Sequence, residues 1–163
     1  MRYRRFGDRM STILKLRLEP HGKGRPRVTF NGKWPRAYTP PKTAKWEKAA
    51  ALLFANQWPR SALLGPVKIE IDAISRRPKR LNRKKDPPGL LIRAALPDAD
   101  NVAKCVLDAL QKAEVIKDDK QVVDLRIRRL YSEKEALGRI IIRITEVEEA
   151  GGVIQSIDSV ESP

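Results

Sequence analysis

Residues 67 to 75 read VKIEIDAIS, a run in which apolar and polar side chains alternate. A period of two sends successive side chains to opposite faces, so this run is a β-strand with one buried face. TILKLRL at 12 to 18 has the same alternation, and so do QVVDLRIRRLY from 121 and GRIIIRITEV from 138, joined by the polar connection 132 to 137. Two other stretches keep the helical period. From about Ala44 to Gln57 the apolar side is Trp46, Ala50, Leu53 and Phe54, with Thr43 placed to cap the helix and Pro59 to end it. From about Asp100 to Ala113 it is Val102, Val106, Ala109, Leu110 and Ala113. The order β, loop, α, β, loop, α, β, β predicts an α+β fold, a small mixed β-sheet with two helices packed on one face. A chain of 163 residues that is 41% apolar builds one core. That core is expected in a single domain over 11–147, between a basic N-terminal extension, 1–10, and a disordered tail, 148–163.

Charge narrows the choice of partner. With 34 Lys and Arg against 20 Asp and Glu, the net charge of +14 favours a polyanion such as nucleic acid. Anionic membrane competes for that role, but no run approaches the roughly 20 apolar residues of a span and the first ten residues lack a signal peptide's apolar centre. The expectation is a cytoplasmic protein with no membrane partner. The cations concentrate in two loops. One, HGKGRPRVTFNGKWPRAYTPPK, carries Lys23, Arg25, Arg27, Lys33 and Arg36 around a tight hairpin turn at Asn31-Gly32. The other, a mobile or extended loop, carries Arg76, Arg77, Lys79, Arg80, Arg83, Lys84 and Lys85 before Pro87-Pro88-Gly89. Both sets are candidate phosphate contacts, and a merely solvated surface is the alternative. Phe30 and Trp34 in the first loop either stack on unpaired bases or pack the hairpin together.

The chemistry available is limited by what is scarce. Cys105 is the sole cysteine and His21 the sole histidine, so an intramolecular disulfide and a Cys/His zinc cluster are both excluded. Cys105 reads as a buried small hydrophobe and His21 as a solvated loop residue. Acid/base or metal chemistry is left to carboxylates, lysines and water. Asp98 and Asp100 flank the second helix start in PDADN, Lys104 and Asp108 follow Asp100 at steps of four, and Asp118-Asp119 lies in the turn beyond the helix. Each has a structural reading: N-cap, surface charge ladder, turn former. A helix of this length spans about 20 Å. Spacing alone does not bring Asp119 to Asp98, and both readings stay open at this level.

Five segments carry a resemblance: GKGRPR at 22 to 27, YTPPKT at 38 to 43, PVKIEI at 66 to 71, PDADNVAKCVLDAL at 97 to 110, and KDDKQVVDLRIRRLY at 117 to 131. In this order they resemble the RusA family of Holliday junction resolvases, over most of residues 12 to 146. The resemblance implies a homodimeric, Mg²⁺-dependent endonuclease, with Mn²⁺ as a substitute, that resolves four-way DNA junctions by paired symmetric incisions in recombination and repair. It places metal-binding carboxylates on Asp98, Asp100 and Asp119, a catalytic lysine on Lys104, and Asp119 near Asp98, within one subunit or across the dimer. Asn101, Asp108, Asp118 and Gln121 also match, without an assigned catalytic role. An apolar patch near Leu130 and Ile141 is the candidate dimer surface. Two other readings are a non-catalytic nucleic-acid-binding module, whose acids cap a helix, and a branched-DNA nuclease that prefers flaps or forks.

Overall fold

The computed structural model describes residues 4–6 and 9–147. The expected tail at 148–163 lies outside them, as do residues 1–3 and 7–8. Ten elements follow in chain order: β1 (Arg4–Phe6), β2 (Arg9–Leu16), β3 (Arg27–Asn31), β4 (Trp34–Tyr38), α1 (Pro41–Ala55), β5 (Val67–Ser75), β6 (Leu91–Ile92), α2 (Ala99–Lys112), β7 (Val122–Tyr131) and β8 (Arg139–Glu146). Six strands form one mixed sheet in the order β1-β2-β8-β5-β7-β6, and β3 with β4 forms a separate two-stranded arm. The expected basic extension thus contributes a short edge strand, with Arg4 opposite Ser11.

Both helices lie on one face, as the alternation required. Leu14 and Leu16 of β2, Val67, Ile69 and Ile71 of β5, and Ile140, Ile142 and Ile144 of β8 meet Ala50 and Phe54 of α1 and Val102, Val106, Ala109 and Leu110 of α2 in one core. On the opposite face the polar positions pair across strands. Lys68 meets Asp124 at 3.3 Å, Asp72 meets Arg128 at 2.7 Å, and Arg143 meets Glu70 at 3.2 Å. Ile13 and Ile141 sit among these charges. Leu130 lies opposite Ile92 at the β6 edge.

The step that positions everything else is the connection from β5 to β7. These strands are parallel, with Ile71 opposite Ile127 and Ala73 opposite Arg129. Parallel neighbours need a crossover, and α2 is its helix. It therefore runs back against the strand direction. Its N-terminus stands at the carboxyl end of β7 and its C-terminus near the beginning.

Three expectations are corrected. Helix α1 starts at Pro41, with Pro40 at the N-cap position and no capping side chain. Thr43 is instead buried, and its Oγ1 accepts the Gly24 N–H at 3.2 Å. His21 is half-buried rather than solvated, stacked on Trp46 with ring centroids 6.2 Å apart and 3.2 Å from Thr43 Oγ1. The segment after β5 is built around Arg77, which was expected on the basic surface and is only 5% exposed. Its guanidinium donates to the carbonyls of Ser132 at 2.9 Å and Pro87 at 2.6 Å, and also to that of Gly89. A buried cation is tolerable only when hydrogen bonds replace its water, and these carbonyls do so. Arg77→Ala would orphan them; a loss of about 3 kcal/mol in urea-induced unfolding is the expected outcome.

Candidate functional site

Asp98 occupies the N-cap position of α2, but its side chain makes no capping hydrogen bond. The carboxylate is exposed and is not consumed by the helix it precedes. Asp100 is exposed in the first turn, where the helix dipole favours an anion. Lys104, one turn on, approaches it at 3.2 Å. That hydrogen bond is the main reason the Asp100 carboxyl titrates below the ordinary aspartate range. The pair is an exposed i,i+4 contact, and such contacts rearrange readily.

The acidic corner is braced from the sheet. Arg129 on β7 donates to the carbonyls of Ala95 at 2.8 Å and Pro97 at 2.9 Å, fixing the backbone just before Asp98. Sequence reading passed over Arg129. Its signal was available: in the alternation of β7 it falls on the side of Leu125 and Ile127, where an apolar residue is expected. Arg93 adds a second brace, donating to the Leu96 carbonyl and lying 5.7 Å from the Tyr131 ring centroid.

Asp119 lies elsewhere. It begins the 3₁₀ turn Asp119–Gln121 that leads into β7. Asp118 caps this turn, accepting from the Lys120 N–H at 3.0 Å, and that backbone bond chiefly holds its carboxyl below the usual range. Gln121 pins the turn to the 63–65 segment, donating to the carbonyls of Leu63 at 2.8 Å and Gly65 at 2.9 Å. Asp118 and Gln121 thus have structural work, and Asp119 is presented to solvent. Seven residue steps along β7 separate Val122 from Arg129, a span of about 23 Å. Within one chain Asp98 and Asp100 stand two residues apart at the start of α2, Asp100 is paired with Lys104, and Asp119 is not brought to them. Among the described residues no three acidic, histidine or cysteine side chains are grouped closely enough to hold a metal.

Beside Asp98 the loop after β2 lies against α2. Pro20, His21, Gly22 and Lys23 face Leu96, Pro97, Asp98 and Asn101 across an open groove of ≈ 420 Å³. Gly22 is required there because a Cβ would collide with Pro97. Lys23, expected to contact DNA, is instead half-buried and paired with Asp108. Its hydrogen bond to the Asp108 carboxylate raises its pKa above the ordinary lysine value, so it stays charged and engaged.

From this loop the arm projects. Arg25, Arg27, Lys33 and Arg36 are all exposed on it. Gly32 takes φ +70 at the predicted Asn31-Gly32 turn, and Phe30 pairs with Pro35 across the strands. Phe30 and Trp34 are 73% and 81% exposed, which decides against their packing the hairpin together. Arg76, Lys79 and Arg80 of the second basic segment are exposed as expected. Arg77 is not part of that surface.

Comparison with known proteins identifies the family. Residues 17–145 match the family model described as Endodeoxyribonuclease RusA. The chain is also 33% identical over 134 residues to "Uncharacterized protein YqaN" of Bacillus subtilis (strain 168), an alignment covering 79% of this chain and 92% of that protein. The family match takes in both helices, the β3–β4 arm and every aspartate of the site, and the chain belongs to the RusA family of endodeoxyribonucleases.

Proposed function

We propose that this protein is a Holliday junction resolvase, a Mg²⁺-dependent homodimer that cuts four-way DNA symmetrically in recombination and repair. The observation that carries the reading is the pair of exposed carboxylates at the start of α2, one of them standing at an N-cap without capping, with Lys104 one turn away. Hard carboxylate oxygens suit Mg²⁺ or Mn²⁺, and neither Asp98 nor Asp100 is committed to a buried partner, so the donor set fits such an ion. When bound, Mg²⁺ supplies activation of water and neutralises charge building on the scissile phosphate. In hydrolysis the water oxygen bonds to phosphorus as the bond to the 3′ oxygen breaks, giving 5′-phosphate and 3′-hydroxyl ends.

The chain's own residues have distinct parts in this reading. Asp98, Asp100 and Asp119 hold the ion. Lys104, released from Asp100, places its ammonium on a non-bridging phosphate oxygen. Arg25, Arg27, Lys33, Arg36, Arg76, Lys79 and Arg80 neutralise backbone phosphates on the arms of the junction. Phe30 and Trp34 offer flat apolar faces to bases unstacked at the branch point. In this reading Asp119 comes from the second subunit. It sits at the far end of the crossover, so a two-fold axis passing near the middle of α2 would exchange the two ends and bring the partner subunit's Asp119 to Asp98 and Asp100. Two such composite sites suit the two equivalent strands of a junction.

Asp98→Asn or Asp119→Asn should lower incision of a synthetic four-way junction roughly a thousandfold or more while leaving binding in a gel-shift assay intact. Full cutting by either variant would sink the assignment. Mixing the two inactive variants gives the sharper test of a shared site. About half of randomly exchanged dimers then carry one intact composite site, so nicking of single strands reappears; a site contained within one subunit gives no recovery. Lys104→Ala is expected to leave the urea midpoint unaltered, because its ion pair is exposed, while slowing incision by about a hundredfold.

A further inference from the structure

The β3–β4 arm leaves the body of the protein through Gly22, Lys23 and Gly24, and each is attached differently. Gly22 lies so close to α2 that an added Cβ would collide with Pro97 and reach Asn101 Cβ at 3.6 Å. The Lys23 N–H donates to the Asn101 carbonyl at 2.9 Å. Its ammonium pairs with Asp108, the two side chains being 34% and 26% exposed. The Gly24 N–H donates to Thr43 Oγ1 at 3.2 Å, which ties the root to α1 as well. Beyond Gly24, residues 25–30 and 32–39 are exposed, and among the described residues the arm's two strands pair only with each other.

Of the attachments to α2, the Lys23–Asp108 pair lies farthest along the helix, two turns from Asp100, and so acts with leverage. It is charged and half-buried, which shields it from salt more than the surface ladder Asp100–Lys104 is shielded. It also joins the arm root to the same rigid helix that carries Asp98, Asp100 and Lys104. Elements held on one helix keep a fixed separation.

On the basis of the nuclease reading, we propose that Asp108 and Lys23 form a positioning pair that orients the basic aromatic arm relative to Asp98 and Asp100. That orientation selects which phosphate near a branch point is presented for incision. Lys23 thus serves specificity through the arm rather than by touching phosphate. A pair that served stability alone would alter how much folded enzyme is present, not where it cuts.

The test uses the full chain and a four-way junction of fixed sequence, with Mg²⁺ and incisions mapped on every strand. Wild type should cut at one dominant phosphate per cut strand. Asp108→Asn should spread incision over neighbouring phosphates, with junction binding changed less than about threefold, the scale of a lost rim contact. Asp108→Glu, which keeps the charge, and the exchange Lys23→Asp with Asp108→Lys should both narrow the pattern again. Unchanged cut positions in Asp108→Asn would overturn the proposal. Hydrogen exchange gives a readout independent of cutting: the Lys23 and Gly24 amides should exchange about tenfold faster in Asp108→Asn, with core amides of β5 unaffected. Equal exchange at the arm root overturns the clamp. Failure of wild type to cut any junction overturns the nuclease reading instead.

Discussion

The direction of α2 is the constraint on which the molecule depends. Once β5 and β7 are parallel neighbours, the chain between them has to cross one face of the sheet, and a helix with a single apolar stripe is the compact way to do so. Val102, Val106, Ala109 and Leu110 are fully buried and commit α2 to that face. Asp100 and Lys104 then face outward by helical geometry, and Asp108, on the same row, meets Lys23 at the arm root. The same crossover puts the helix N-terminus at the carboxyl end of the parallel pair, the end at which open sheets with helical crossovers bind ligands. Asp98 is there for a topological reason.

Most of this fold was legible because burial writes periodicity into sequence. VKIEIDAIS became β5 with its expected limits, and the expected second helix shifted by one residue. What misled were residues whose polar groups serve distant partners. Thr43 looks like a cap because it precedes a helical run, yet it lies inside α1 and binds a loop 19 residues earlier in the chain. Arg77 looks like one more member of a basic run, and only the three-dimensional return of residues 87 to 89 and 132 reveals it as the centre of that loop. In the acidic site, the Asp100–Lys104 pairing follows from helical spacing, whereas the remoteness of Asp119 follows from the strand order, which no local pattern encodes.

The surplus of positive charge separates into two populations. Lys23, Arg77 and Arg129 are tied to protein acceptors, and on the open sheet face Lys68, Arg128 and Arg143 are matched to acids. Arg25, Arg27, Lys33, Arg36, Lys79 and Arg80 are exposed on the arm and the loop after β5. A formal charge of +14 therefore describes long-range attraction well and local contacts poorly. The exposed cations of the arm and of the loop after β5 lie on segments that leave the sheet.

Under the proposed reading the separation of the acids has a physical advantage. Three carboxylates crowded into one chain without a cation repel one another and raise each other's pKa, at a cost to the folded monomer. Keeping Asp119 at the opposite end of α2 from Asp98 avoids that cost, because each end carries few enough charges for solvent and Lys104 to compensate them. Only when two subunits and an ion meet would the carboxylates come together, and the cation then offsets the repulsion that assembly creates. Dimer formation and metal binding would accordingly favour one another, since each relieves the penalty of the other. Cutting competence would then arise only in an assembly that already has two sites, which is what paired incision of a symmetric junction requires.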